Sequence, residues 1–341
     1  MGQRVVVKKK KRRVRRLRLI LFIILLLFLG VVGFGGYIAV QTMQAASESY
    51  DDLGREKSDL RESVVSISKD PVSVLIMGVE DYSTGGENGR TDTLMLATFN
   101  PNDEKLKLVS IPRDTLVEIV GRGTEDKINH AHAFGGKEMT IDTVENLLGI
   151  PIDYYATVNF DAFKNVVDIL GGITVDVPFN FQQNSDDPKA EKLQFYEGEM
   201  ELDGRYALAY SRMRYEDPRG DIGRNERQQE VIQAMIEKAL SLGTITKIDD
   251  IAKEVGNNVE TNIKMSEGLG FFKQYSDFRA SSIDKLNLET YATTINGISY
   301  QIVDEEALFE LQQELKDHLE IASRDDIDTF PNQNQASGVE Y

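Results

Sequence analysis

Hydrophobic positions fall into three regimes along this chain. Residues 19–40 form an apolar run of 22 residues without a charge. At about 1.5 Å per residue, a helix of that length spans roughly 30 Å, the thickness of a bilayer core. Residues 41–69 are polar and charged with few large apolar side chains, the pattern of a partly helical stalk. From Asp70 onward, short apolar runs alternate with segments of helical period. Residues 72–78 (VSVLIMG) read as a strand buried on both faces. Residues 82–89, with three glycines, read as a loop. Residues 93–99 and 105–111 read as strands around the turn Asn100-Pro101-Asn102-Asp103. Further strands are expected at 155–158 and 173–177, and a hairpin at 288–294 and 298–303 around Asn296-Gly297. Helices are expected at 139–148, 160–170, 203–213, 223–242, 247–255, 266–275 and 305–319. No internal repeat is present. Strands and helices interleave, which predicts an α/β class: an α/β/α layered mixed sheet with helices on both faces.

Charge sharpens the division. Ten of the 39 basic residues lie before residue 41, with no acid among them, leaving 29 against 56 acidic residues, a net of −27 beyond it. The positive-inside rule places a basic tail (1–18) in the cytoplasm, a single transmembrane helix at 19–40 and everything later outside. A cleavable signal peptide is the alternative, cut near Gln44-Ala45-Ala46-Ser47; its apolar region is about 7–15 residues, shorter than this run. The expected plan is then a stalk over 41–69, a catalytic domain over 70–322 and a polar tail over 323–341. An acidic domain lacks the basic surface that nucleic acid requires. The absence of cysteine excludes disulfides, zinc–cysteine sites and thiol nucleophiles.

Arginine carries the strongest chemical signal. Thirteen arginines follow residue 40, and six fall between Arg205 and Arg227 with no lysine among them. Arginine in preference to lysine points to planar, bidentate recognition of an oxyanion. Pro218, Gly220 and Gly223 form a tight loop feeding a helix, on whose first turn Arg224, Arg227 and Gln228 lie at i, i+3 and i+4. A helix start favours anions already. The competing reading is a surface web of ion pairs with Glu216, Asp217, Asp221 and Glu226. Arg90-Thr91-Asp92-Thr93 and Ser110-Ile111-Pro112-Arg113-Asp114-Thr115 stand at strand ends, where open α/β sheets hold ligands. With Glu80-Asp81 they offer carboxylates for a hard cation; Mg²⁺ takes one or two of these plus phosphate oxygens. His130 and His132 lack an evident third zinc ligand and are read as structural or substrate-positioning. No nucleophile elbow, P-loop or dinucleotide fingerprint occurs.

Together, VLIMGVED (74–81), RTDTLM (90–95), VSIPRDT (109–115), DKINHAHAFGG (126–136), LGGITVDV (170–177) and RMRYEDPRGDIGRNERQQ (212–229) resemble the LytR–CpsA–Psr family, in particular its TagU-like, LytR-type branch. Order and spacing agree over residues 70–320. The resemblance implies a membrane-bound phosphotransferase. It would move an anionic glycopolymer, typically wall teichoic acid, from an undecaprenyl-pyrophosphate carrier to the muramic acid C6 hydroxyl of peptidoglycan. It further implies that Arg90, Arg113, Arg212, Arg214, Arg224 and Gln228 bind the pyrophosphate, with Arg227 as an additional member. Asp92 would hold Mg²⁺. Glu80 stands where the family usually has an aspartate, and Asp81 could substitute. Asp221 matches a family acid that acts as base or as arginine orienter. The catalytic set is then Asp92, Arg113, Arg214 and Asp221. Phe160, Phe163, Val167 and Leu170 on one helix, and Val231, Ile232, Met235 and Leu240 on another, could line a channel for the lipid tail, or could simply be core. A phosphohydrolase at the same site and a non-enzymatic regulator or receptor are the alternatives. The localisation implied is a single-pass type II protein of the cell membrane, with its catalytic domain extracytoplasmic.

Overall fold

The computed structural model describes residues 50–79, 89–187, 190–240, 259–264 and 282–321, with a few isolated positions between the last two. The apolar run 19–40, residues 41–49, Glu80, Asp81 and the tail after 321 lie outside the described residues. So do most of the helices expected at 247–255 and 266–275.

A six-stranded mixed sheet forms the centre. Its order is β11 (Val259–Thr261), β6 (Tyr154–Asn159), β1 (Val72–Val79), β2 (Thr91–Asn100), β3 (Lys105–Ser110) and β12 (Ile283–Asn287). β1 runs parallel to β6, and β3 to β12; the other pairings are antiparallel. The alternation of side chains along each strand splits the sheet into two apolar faces. Leu75, Met77, Leu94, Leu96 and Val109 face one way and pack with α1 (His130–Leu148) and α5 (Glu305–His318). Val72, Met95, Ala97, Phe99, Leu106 and Leu108 face the other way, against Ile232 and Ile236 of α4 (Asp221–Ala239).

A second core is built beside the sheet. α2 (Phe160–Leu170), α3 (Gly204–Arg212) and the inner side of α4 enclose it. It is floored by the ribbons β7 (Ile173–Val177) with β10 (Gly198–Leu202) and β8 (Phe181–Gln183) with β9 (Leu193–Phe195). Stacked rings of Phe181 and Phe195, 4.4 Å between centroids, fill it. Two remaining ribbons are β4 (Leu116–Ile119) with β5 (Thr124–Lys127), and β13 (Thr290–Ile295) with β14 (Ile298–Val303).

Local chemistry sets the element ends. Asn159, Asp203 and Asp304 cap α2, α3 and α5, each accepting from the backbone N–H three residues on. Asn296 and Gly297, both at positive φ, form the tip of the β13–β14 hairpin. α2 and β7 have the expected bounds. α1 starts nine residues earlier than expected and kinks at Gly135–Gly136, where helical backbone geometry is interrupted. The short strands β4, β5 and β8 to β12 were not expected; three to five residues give too little alternation to register.

The sequence reading of 41–69 as a stalk is corrected for its described part. Residues 50–69 lie on the domain. Arg61 donates to both carboxylate oxygens of Asp153 at 2.9 and 2.6 Å, Arg55 is bidentate on Glu145, and Ile67 is buried. Polar composition made the segment look solvated, but its arginines face acids on the body.

Candidate functional site

The site forms where β1, β2 and β6 end against α2, α3 and α4. A cavity of about 270 Å³ opens there. Its walls are mainly Ile76, Val158, Phe160, Phe163, Leu208, Val231, Ile232 and Met235, and its inner end is Asp92, Arg212, Arg224 and Gln228. Adjoining it is a small charged pocket walled by Asp92, Arg113, Asp114, Asp221, Arg224, Asn225 and Gln301. Asp92, Arg224 and Gln228 belong to both, so apolar and charged compartments meet at those side chains.

Each arginine is held by a specific contact. Arg113 ion-pairs with the Asp92 carboxylate. Arg224 Nη2 donates to the Asp92 carbonyl at 2.6 Å. Arg214 Nη2 lies 2.8 Å from Asp221 Oδ2. Arg212 lies over the Phe160 ring, 4.8 Å from its centroid. Gln228 Nε2 donates to Thr93 Oγ1 at 3.0 Å. Gly78 makes that last contact possible: a Cβ there would sit 3.0 Å from Thr93 Cβ.

Electrostatics mark the cluster as unusual. Burial, then the nearby positive charge of Arg113, push the Arg224 guanidinium down to about 10, still charged at neutral pH. Burial also opposes charge on Arg113, but Asp92 overrides it and raises its pKa. Two partly desolvated guanidiniums side by side repel each other, and an anion between them relieves the repulsion.

The structure brings together Asp92, Arg113, Arg212, Arg214, Asp221, Arg224 and Gln228 of the expected set. Arg90 is exposed just before β2 and makes no wall of either compartment. Arg227 is turned away. Its Nη1 donates to Asp217 Oδ2 at 2.5 Å and its Nη2 to the Met213 carbonyl at 2.6 Å, with both side chains buried. One helical step rotates Arg227 from the face shared by Arg224 and Gln228 into the loop before α4. Arg219 pairs with Glu226 at 2.5 Å on the surface. Both readings of the arginine-rich segment are therefore realised, on different residues. Of the expected channel residues, Phe160, Phe163, Val231, Ile232 and Met235 line the cavity, while Val167 and Leu170 are buried away from it.

His130 Nδ1 lies 2.8 Å from Asp126 Oδ2, and His132 Nδ1 lies 2.7 Å from the carbonyl of Gly89, the residue before Arg90. Both imidazoles are engaged locally. Among the described residues, no group of three acidic, histidine or cysteine side chains could hold a metal. Sequence reasoning missed Gln301 and gave Asn225 no role, while Thr93 lay within the candidate segment Arg90-Thr91-Asp92-Thr93. Gln301 sits on a hairpin far along the chain, and nothing local marks it.

The fold and the site define a class of protein: a mixed α/β domain in which an apolar cavity adjoins a cluster of fixed arginines. The chain belongs to the LytR_cpsA_psr family, whose model matches residues 36–317. It is similar to the Bacillus subtilis (strain 168) "Polyisoprenyl-teichoic acid--peptidoglycan teichoic acid transferase TagV", 46% identical over 297 residues, covering 86% of this chain and 76% of the relative. The crystal structure of B. subtilis TagV matches with a TM-score of 0.67 and 44% identity, over 75% of this chain and 99% of that one. A structure of "TagT bound to LIIa-WTA" matches with a TM-score of 0.67 and 34% identity, over 80% of this chain and all of that one, 100%.

Proposed function

We propose that this chain is a phosphotransferase of the polyisoprenyl-teichoic acid–peptidoglycan teichoic acid transferase type. It moves an anionic glycopolymer, wall teichoic acid, from an undecaprenyl-pyrophosphate carrier to the muramic acid C6 hydroxyl of peptidoglycan. The continuity of the apolar cavity with the arginine cluster supports this reading most directly. A polyprenyl pyrophosphate has that same division of oily chain and anionic head. The names of the relatives point to the same reaction.

In this reading the lipid chain lies along Phe160, Phe163, Ile232 and Met235. Arg113, Arg212, Arg214 and Arg224, with Gln228, bind the pyrophosphate, and Arg90 reaches it from the rim. The acceptor C6 oxygen attacks the phosphorus bonded to the sugar. A new P–O bond forms, the bridging P–O bond breaks, and undecaprenyl phosphate leaves with the electron pair. Phosphoryl transfer needs positioning and charge neutralisation above all. Asp221 orients Arg214 in the resting site. Once the pyrophosphate draws Arg214 away, the freed carboxylate takes the proton of the acceptor hydroxyl.

Asp92 and Glu80 would hold Mg²⁺. Asp92 stands at the junction of the two compartments. One or two carboxylates suit a cation that completes its shell with phosphate oxygens and water. When bound, it supplies further charge neutralisation at the departing phosphate. The apolar run 19–40 would anchor the protein as a single-pass type II membrane protein, with the domain outside and within reach of its lipid donor.

The test uses purified full-length protein in detergent, a pyrophosphate-linked undecaprenyl-type glycan, uncrosslinked peptidoglycan oligomers and Mg²⁺. Glycan joined through a phosphodiester, and lost with a chelator, is expected. Free phosphorylated glycan without joined product would replace transfer by hydrolysis.

A further inference from the structure

The β13–β14 ribbon exposes an aromatic face that the transferase mechanism has not used. Tyr291 pairs with Ile302, Thr293 with Tyr300, and Ile295 with Ile298. Directly opposed residues share a face, so these six form one side of the ribbon. Tyr291 is 58% exposed, Ile298 50% and Ile295 41%. On the other side, Val303 at the base of the ribbon packs against the first core, while Ala292, Thr294 and Ser299 nearer the tip are exposed. An apolar face left in solvent on a ribbon is a liability unless something binds it.

The ribbon is spliced to the charged pocket. Thr115 bridges Gln301, and the Gln301 N–H donates to the Asp114 carbonyl at 2.9 Å. Thr115 is fully buried, so Asp114 and Tyr300, one step back on each strand, lie together on the opposite face, both half-buried. Lys127 confirms the side: its Nζ lies 2.8 Å from Asp114 Oδ1 and 5.6 Å from the Tyr300 ring centroid. Asp114 and Gln301 are also walls of the charged pocket. The outer face therefore runs from that pocket across Tyr300 to Tyr291.

We propose that this face is the acceptor platform, which binds the glycan strand of peptidoglycan by stacking sugar rings on Tyr300 and Tyr291. The proposal rests on the transferase reading above. In-line displacement requires the acceptor oxygen and the leaving oxygen on opposite sides of the phosphorus. The lipid side is the apolar cavity. The polar walls of the charged pocket that the cavity lacks are Arg113, Asp114, Asp221, Asn225 and Gln301, beside Ile111 and Pro112, and the ribbon extends from Gln301. The six residues of the face carry no charge, and a tyrosine ring presents an apolar surface with a polar tip. That suits sugar rings better than it suits an anionic polymer, for which the neighbouring cation, Lys127, is already paired with Asp114.

The full-length protein with Tyr291→Ala, Tyr300→Ala and Tyr291→Phe tests this in two assays. One measures equilibrium binding of short uncrosslinked peptidoglycan glycan oligomers without donor; the other measures KM for acceptor and for donor. Each alanine variant should raise the oligomer Kd and the acceptor KM about tenfold, a usual loss for an aromatic anchor, with kcat and donor KM unchanged. Tyr291→Phe should bind like the parent. Thr293→Arg, which keeps both rings but blocks the face, should weaken binding as well, independently of any folding defect in the alanine variants. Unchanged oligomer affinity in all variants would overturn the platform, and so would a raised donor KM with normal oligomer affinity, which would give the ribbon to the donor polymer. Tyrosine-dependent oligomer binding without any transfer would support the platform while removing the transferase reading.

Discussion

Arg224 and Arg227 show how two arginines three positions apart on one helix face different surroundings. Arg224 stays on the cleft side, where Asp92 fixes it and burial leaves it poorly solvated. Replacing it with alanine should lower the transfer rate about 10²–10³-fold, the usual cost of removing a preorganised donor at developing charge. Lysine should not restore the rate, since it lacks the planar fork; initial rates of joined product decide both. Arg227 and Asp217 instead form a buried pair. Burial alone would raise the Asp217 pKa, but the Arg227 hydrogen bond and charge more than offset it, and the pKa ends below its ordinary value. A lowered folded pKa means the stabilisation is present above about pH 4 and is lost as pH falls through the folded value. Asp217→Asn should therefore cost about 3–5 kcal/mol at pH 7, since it strands a buried guanidinium. The difference from the parent should shrink below about pH 4 in urea unfolding. Gly223→Ala should mimic it, because a Cβ at that position would lie 1.8 Å from Asp217 Oδ2.

At the scale of elements, the segment before β1 and the wall of the cavity matter most. Residues 50–69 are clasped by Arg55, Arg61 and a backbone bond from Asp51 to Thr261 at the sheet edge. The Arg61–Asp153 pair is shielded from solvent, and Arg61 also donates to the Pro71 carbonyl at 2.9 Å. A domain cut at residue 70 should unfold at lower denaturant concentration than one cut at residue 50, and Arg61→Ala should reproduce most of the loss. Equal midpoints would make the clasp an idle surface contact. In the cavity, Met235 stands on α4 beside Phe163. Met235→Trp should fill the space that the proposed function assigns to the lipid chain. The KM of long-chain donors should then rise while that of short-chain donors stays near the parent value. A uniform rise for both would place the chain elsewhere.

For the whole molecule, α4 is the organising element. Ile232 and Ile236 face the sheet, Val231 and Ala234 face the second core, and Arg224 and Gln228 close the site between them. The lipid-like cavity thus lies where the two packed bodies meet, a common place for ligand sites. The lipid donor of the proposed function calls for a membrane-bound enzyme. The full chain should sediment with membranes and resist extraction at alkaline pH. Recovery in the soluble fraction, starting near Ser47, would identify the apolar run as a cleaved signal.

Some of this was determined by sequence alone. Alternating and continuous apolar runs define β1, β2, β3, β6 and β7 and both faces of the sheet, because burial of a strand face is written directly in its period. The arginine excess between 205 and 227 pointed to the segment that supplies Arg212, Arg214 and Arg224 to the candidate site, while Arg219 and Arg227 of the same segment form ion pairs instead. Tertiary structure alone decided which arginines face the candidate site. Arg224 and Arg227 are equivalent by spacing; the fold of the preceding loop, which brings Asp217 under Arg227, separates them. It also decided that residues 50–69 are part of the domain, and that Gln301 reaches Asp114. These are contacts between segments far apart in the chain, formed by long-range packing that no local period encodes.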